Sequence, residues 1–495
     1  MRRRTNENVS KINEGEIILA IDVDVFTGLL TYRDVQFHFI FDKQQLRLIP
    51  PSDKVREIEK WFLKPIGNKG NYIGYTTGDP IYIEEPLISD GCNERPKIVF
   101  IPKCSSIGHY NSIIIIDIQA YIVFSIREFN IRKINFFCPE INSIFPSRQA
   151  IGEAKWDENG EFSLKTQKLE TSNEIKQFFK YQEKDIEITF DIIQTTTYDV
   201  TKPPLSLQSC MCFKFDDTTD YDFIYQLALT ARCFIEYLCY RKDISFNSIY
   251  LYTPYGDGTK IYKGAELCIV EEPKIYDEKS IKEGRCIKHY YIKEIEGNLL
   301  NSIVNNTLYM RHFPDSYEKR HINAARFVMI TAAFEWEFNK LYPNGVKKKT
   351  QTIKAEEQAS IVLTDLISQN SGKLRDIYKS LLKNGIGFSP LQAKIQQVGK
   401  DLDDIISPFG KHLYALNGAE LKYSKMGERL ATQRNHYAHG NLDQEFDGLA
   451  FVDLIFLERV IYAMQLKNLG TTDKNIKESI NDLFHCNLII EDEKE

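Results

Sequence analysis

The hydrophobic period changes once along this chain, and that change constrains the fold more than any other feature. Up to about residue 300, apolar side chains recur at every second position, as in a strand with one buried face. Val35, Phe37, Phe39 and Phe41 follow this rule, and so do Ile186, Ile188, Phe190 and Ile192. Ile113, Ile114, Ile115 and Ile116 form an unbroken β-branched run, which reads as a strand buried on both faces. Turn chemistry separates the runs, as at Asn68-Lys69-Gly70-Asn71 and Tyr255-Gly256-Asp257-Gly258. One helix interrupts them over 223–240, with Asp220 or Asp222 as its cap.

Between about residues 275 and 316 the character changes. Charges crowd 271–285, and spacings of three and four take over. Ile322, Ala325, Met329, Ala332 and Trp336 make a helix seam that ends at Pro343-Asn344-Gly345. Further helices are expected over 356–368, 374–383, 390–406, 419–434 and 451–469. The last carries two apolar stripes, Leu454, Leu457, Ile461 and Met464 beside Val452, Phe456 and Val460. The second stripe is covered either by a partner subunit or by the chain's own N-terminal region or end. The 495 residues exceed what one core accommodates. The expected fold class is α+β. A β-rich, sandwich- or barrel-like region, of one subdomain or two, covers 1–300, and an all-α helical bundle covers 301–495.

Composition narrows the function classes. A hydrophobic share of 43% and a charged share of 27% are those of an ordinary globular protein. A formal charge of −6 argues against broad coating of nucleic acid, so any RNA contact must be local. Met1-Arg2-Arg3-Arg4-Thr5-Asn6 leads into polar sequence without the apolar core of a signal peptide. The most apolar stretch, 113–126, is too short for a bilayer and contains Asp117 and Gln119. The ten cysteines include no C-x-x-C. Cys210 and Cys212 point to one side of a strand, and Cys233 and Cys239 fall in an apolar helix pattern, so reduced, buried thiols are expected. The expected setting is cytoplasmic, with no membrane partner. Histidines 38, 109, 289, 312, 321, 412 and 485 show no metal-ligand spacing, and Gly67-Asn68-Lys69-Gly70 lacks the G-K-[ST] of a phosphate loop. No metal and no organic cofactor are expected.

The chemistry concentrates in Arg434-Asn435-His436-Tyr437-Ala438-His439, followed by Gly440. Asn435 and His439 are four apart and share a helix face. The planar fork of Arg434 is long enough to bend round to a phosphate. Gly440 reads as the residue just past a helix end, which puts His439 where the helix dipole favours an imidazolium. Such a residue can give and take protons near neutral pH. Arg, Asn and His also occur together at helix ends simply as caps and surface groups.

The segment resembles the R-N-x-x-x-H signature of the HEPN superfamily, small helical bundles that include many metal-independent ribonucleases. The run 426–431 before it and the helix 451–469 after it fit the way that family sets its motif between two helices. The position behind a β-rich region is similar to the ApeA-type proteins of anti-phage defence. The resemblance implies an endoribonuclease that leaves 2′,3′-cyclic phosphate ends, with Arg434, Asn435 and His439 catalytic. His439 would be general base or acid, Arg434 would hold the non-bridging phosphate oxygens, and Asn435 would orient the phosphate or the imidazole. One histidine does not easily serve as both acid and base, and the family's solution is a homodimer through the helical domain. The implied role is cleavage of cellular RNA, with tRNA among the targets, in abortive infection. A phage-derived trigger would then act through the N-terminal region. The competing reading is a HEPN module that binds nucleotide or RNA, or assembles complexes, without cutting. A tyrosine two residues beyond the histidine, a nucleotide-transfer target in some members, is replaced by Asn441.

Other positions carry weaker signals. His436 lies one residue off the Asn435–His439 face and either touches substrate or is a spectator. Glu335 either projects from the first bundle helix towards the motif or is an exposed carboxylate. Lys347, Lys348 and Lys349 either grip an RNA backbone or form a solvated loop.

Overall fold

The computed structural model describes residues 25–62, 87–90, 97–103, 108–110, 113–125, 129–167, 176–201, 203–255, 259–271, 278–316, 319–385, 389–438, 446 and 448–490. The chain divides into two compact units, 1–127 with 265–272, and 128–264 with 273–495.

The described elements of the first unit are strands β1 (Phe26–Tyr32), β2 (Val35–Phe41) and β3 (Gln45–Ile49), helix α1 (Val55–Phe62), and strands β4 (Leu87–Asp90), β5 (Ile98–Pro102), β6 (Gly108–Tyr110) and β7 (Ile113–Phe124). Six strands close an antiparallel barrel in the order β1, β2, β3, β7, β5, β4 and back to β1. Arg33 and Asp34 have φ of 49° and 60°, the twist a two-residue hairpin needs to join Tyr32 to Val35. The alternation of β2 is realised, with Val35, Phe37, Phe39 and Phe41 inside the barrel against Leu48, Phe100 and Ile116. The isoleucine run behaves otherwise. Ile114 and Ile116 are buried but Ile113 and Ile115 only half-buried, so this part of β7 has one core face, not two.

The second unit begins with β8 (Ile131–Phe137), α2 (Pro139–Ile144), and a hairpin of β9 (Ile151–Trp156) and β10 (Phe162–Thr166). Strands β11 (Gln177–Tyr181), β12 (Lys184–Thr196) and β13 (Leu205–Thr218) follow, then helix α3 (Tyr221–Cys239) and strand β14 (Ser248–Tyr255); β15 (Lys260–Ile269) starts in this unit, and its residues 265–269 belong to the first, where they pair with β7. The antiparallel sheet runs β11, β12, β13, β8, β14. The helix expected at 223–240 is α3, and of its two candidate caps the structure uses Asp220, whose carboxylate accepts from the Phe223 amide at 2.9 Å.

Helices α4 (Glu278–Lys282), α5 (His289–Ile292) and α6 (Glu296–Val304) lead into α7 (Ala324–Leu341), α8 (Thr350–Gln369), α9 (Gly372–Gly385), α10 (Leu391–Asp401), α11 (Asp403–Leu416), α12 (Tyr423–Ala438), α13 (Ala450–Leu469) and α14 (Asp473–Leu483). The single helix expected over 390–406 is two, α10 and α11, joined at Leu402. The mixed α+β class is as expected. The unit boundary is not at residue 300: α6 lies on β11, with the Gly297 backbone against the Phe178 carbonyl. The Tyr462 hydroxyl of α13 donates to the Tyr237 carbonyl of α3 at 2.7 Å. Sheet and bundle of this unit therefore share one core. No described helix is long and apolar enough to cross a membrane.

Two expectations about helix faces are corrected. The seam of α7 is Phe327, Ile330, Phe334 and Phe338, all buried, whereas Met329 and Trp336 are exposed. Both sets step by three and four, and the bulkier aromatic set takes the core because it removes more apolar area from water. Both stripes of α13 are buried within one chain, against α7, α11, α12 and α14. The second stripe therefore needs no partner subunit.

α10 and α12 approach closely because two positions lack a side chain. A Cβ at Gly427 would lie 2.8 Å from the Gln392 Cα, and the Tyr423 ring covers Gly399. Gly427→Ala is expected to cost about 1–3 kcal/mol through forced separation of these helices, read as a lower denaturant midpoint; an unchanged midpoint contradicts this packing. His312 is buried among the rings of Tyr240, Tyr309 and Phe313, with neither ring nitrogen partnered. Burial, with Arg326 and Lys242 nearby, lowers it to about 3. The unfolded chain takes up this proton first, near pH 6.5, so stability falls as pH drops from there towards 3. His312→Phe is expected to flatten the decline in midpoint between pH 6.5 and 5; equal slopes contradict it.

Candidate functional site

The motif occupies the last turns of α12. Leu430 and Tyr437 point into the bundle, where Tyr437 meets Phe327 edge-on at 5.4 Å and Phe446 at 5.8 Å. With that face buried, Arg434 and His436 are half-buried and Asn435 is exposed. His439 and Gly440, the other residues of the motif that the sequence singles out, lie outside the described residues.

A carboxylate from another helix meets the motif. Glu335 of α7 accepts from Arg434 Nη2 at 2.7 Å through Oε2, and from Lys394 Nζ of α10 at 2.9 Å through Oε1. Of the two readings of Glu335, the structure therefore gives the one directed at the motif. Arg434 keeps 34% side-chain exposure, against 12% for Lys394, so the arginine is the more accessible of the two cations. Lys394 also lies over the Phe338 ring at 5.6 Å. The cluster thus joins three helices through one carboxylate and carries two cations to one anion.

The lysine run is not brought to this cluster. Lys347 pairs with Asp401 at 3.5 Å, and Lys348 forks onto Glu356 at 2.5 and 2.8 Å. Lys349 sits exposed at the start of α8.

What fixes the height of α12 is a second, deeper ion pair. Asp453 of α13 is fully buried, and Arg429 of α12 grips both its oxygens at 2.6 Å. The Tyr414 hydroxyl of α11 donates to the same carboxylate. Burial pushes the Asp453 carboxyl above its ordinary value, while the Arg429 and Tyr414 hydrogen bonds hold it down. Arg429 precedes Arg434 by five residues, so this pair sets the rotation of α12 that carries Arg434 to Glu335.

Sequence reasoning missed Lys394 and the Asp453 network. Lys394 gives no signal, since a lysine in an amphipathic helix is ordinarily solvated. Asp453 does give one: a lone carboxylate inside an apolar helical run must be paired.

No family model, no curated protein and no solved structure matches this chain.

The two ion pairs differ in burial and should differ in weight. Asp453→Leu leaves the Arg429 guanidinium without its partner and is expected to cost about 3–5 kcal/mol of unfolding free energy. Glu335→Gln, at a half-exposed pair, is expected to cost about 1 kcal/mol or less. Denaturant titration of both variants checks the contrast, and equal losses contradict it.

Proposed function

We propose that this chain is a metal-independent endoribonuclease of HEPN type, with Arg434, Asn435 and His439 as its catalytic set. The observation that supports the reading best is the placement of the motif's first two residues. Asn435 is exposed and Arg434 is half-buried at the flank, on the last turns of a helix anchored in the bundle at Tyr437, Leu430 and Arg429.

In this reading the fork of the half-buried Arg434 takes the non-bridging oxygens of the scissile phosphate, and Asn435 orients the phosphate or the imidazole. His439 moves the proton of the 2′-hydroxyl or of the leaving 5′-oxygen, a contribution of roughly 10²–10⁴-fold. Two such histidines on one substrate require a homodimer through the helical domain. Because α13 is buried within its own chain, the dimer would use another face. The proposed setting is the cytoplasm, the proposed substrate cellular RNA with tRNA among the candidates, and the proposed role abortive infection under an N-terminal sensor answering a phage-derived trigger.

One observation favours the second reading, a module that binds RNA or nucleotide without cutting. Arg434 is already paired with Glu335, so a phosphate must compete with a carboxylate for it. In the enzyme reading this pair holds the guanidinium at the right height until substrate arrives. In the binding reading it is structural.

Substitution separates the two. Wild type and His439→Ala protein are incubated with total bacterial RNA without added divalent ion, alone and with lysate of infected cells, and the new ends are mapped. Discrete cuts with 2′,3′-cyclic phosphate and 5′-hydroxyl ends, made by wild type alone, are expected. Equal cutting by both proteins contradicts the assignment of His439, and RNA retention without cuts in either condition supports the binding module.

A further inference from the structure

The sheet of the second unit buries a polar cluster that the proposed nuclease does not use. Its helix-covered face carries Phe190, Met211 and Phe213; the other face carries Lys133 and Asn135 of β8, Thr189 and Asp191 of β12, and Cys210 and Cys212 of β13. Strand period brings the two cysteines to one side, and register sets Asp191 opposite Cys210, with Thr189 and Asn135 on either side of Cys212. Both thiols are fully buried, and Asp191 is nine-tenths buried.

The partners of these groups are incomplete. Asp191 Oδ2 accepts from Lys133 Nζ at 3.1 Å and from the Cys212 thiol at 3.1 Å. Its other oxygen, Oδ1, is buried with no hydrogen-bond partner, and so are Asn135 Oδ1 and Thr189 Oγ1. A buried carboxylate oxygen left bare costs stability, so Asp191 Oδ1 has an unused lone pair beside two thiols. The donor atoms of Asp191, Cys210 and Cys212 all lie within 4.8 Å of one another. The two sulfurs are 3.6 Å apart. Two thiolates about 2.3 Å from a tetrahedral zinc ion stand about 3.8 Å apart, so little movement is needed.

We propose that Asp191, Cys210 and Cys212 form a binding site for a thiophilic divalent cation, zinc first. Sulfur donors select zinc over magnesium or calcium. The Asp191 carboxylate is the third donor, and Lys133, bonded to its Oδ2, orients it as an outer partner. The charges close: two thiolates, one carboxylate, a divalent ion and the Lys133 ammonium sum to zero. Binding breaks two S–H bonds, forms two sulfur–metal bonds and releases two protons to solvent. Three protein donors leave one position of a tetrahedral ion for a further ligand. The ion would cross-link the middles of β12 and β13.

Cobalt reports the site directly. Full-length protein, reduced and stripped with chelator, is titrated with Co²⁺ alone and then with Zn²⁺. One equivalent of Co²⁺ is expected to develop sulfur-to-metal charge-transfer absorption, which Zn²⁺ removes. Cys212→Ser should abolish the band, and Asp191→Asn should weaken cobalt affinity at least about tenfold. Should Cys212→Ser fail to fold, alkylation of the wild type decides: zinc is expected to slow modification of Cys210 and Cys212 at least about tenfold relative to stripped protein. No charge-transfer band in folded wild type, an undiminished band in folded Cys212→Ser, or alkylation of this pair unaffected by zinc would each overturn the site.

Discussion

Everything at the candidate site depends on one buried carboxylate. Asp453 sits at zero exposure in the middle of α13, where an unpaired charge is untenable. Arg429 and Tyr414 answer it from α12 and α11, and a helix held by a bidentate guanidinium has little freedom to slide or turn. The rest of α13 repeats the device. Glu458 receives Arg326 of α7 at 2.5 Å, Gln465 donates to Glu337 of α7 at 3.1 Å, and Arg459 donates to the Phe409 carbonyl of α11 at 3.3 Å. Apolar burial makes α13 the centre of the bundle, and the polar residues within it dictate which helix lies where. The surface constellation of Arg434, Asn435 and Glu335 follows from that arrangement.

The β-strands were legible because their signal is local. Alternation at Val35 to Phe41 needs no knowledge of the rest of the chain, and a barrel or sandwich follows from several such strands. The helices were legible as helices, but their faces were not. In α7 two apolar sets share the same spacing, and only tertiary packing decides that Phe334 goes in and Trp336 stays out. α13 shows the same limit, since two stripes are compatible with a partner subunit or with α14, and the sequence contains no feature that chooses. The expected boundary near residue 300 follows the change of period, yet the core of the second unit runs across it, because α6 and α13 pack on β11 and α3.

The candidate site divides the same way. Arg434 and Asn435 are readable as a pair because they are adjacent, whereas the helix expected over 419–434 is displaced four residues along the chain, to Tyr423–Ala438. The third dimension of the site is not readable: Glu335 of α7, Lys394 of α10 and Arg434 of α12 come from helices separated by long intervals of sequence, and only the packing of the bundle brings them together. The Asp191, Cys210 and Cys212 cluster has no ligand spacing in the sequence for a related reason. Its third donor belongs to the neighbouring strand, and only the register of β12 on β13 brings it opposite.

Transesterification by the 2′-hydroxyl at the proposed α12 site is open to a single-atom change in the substrate. An RNA oligonucleotide spanning a mapped cut is compared with one carrying 2′-deoxyribose only at the nucleotide 5′ to that cut. The all-ribose strand is expected to be cleaved to a 2′,3′-cyclic phosphate and the deoxy strand to be bound but left intact. Cleavage of the deoxy strand at the same position would contradict it, because the attacking nucleophile would then not be the substrate's own hydroxyl.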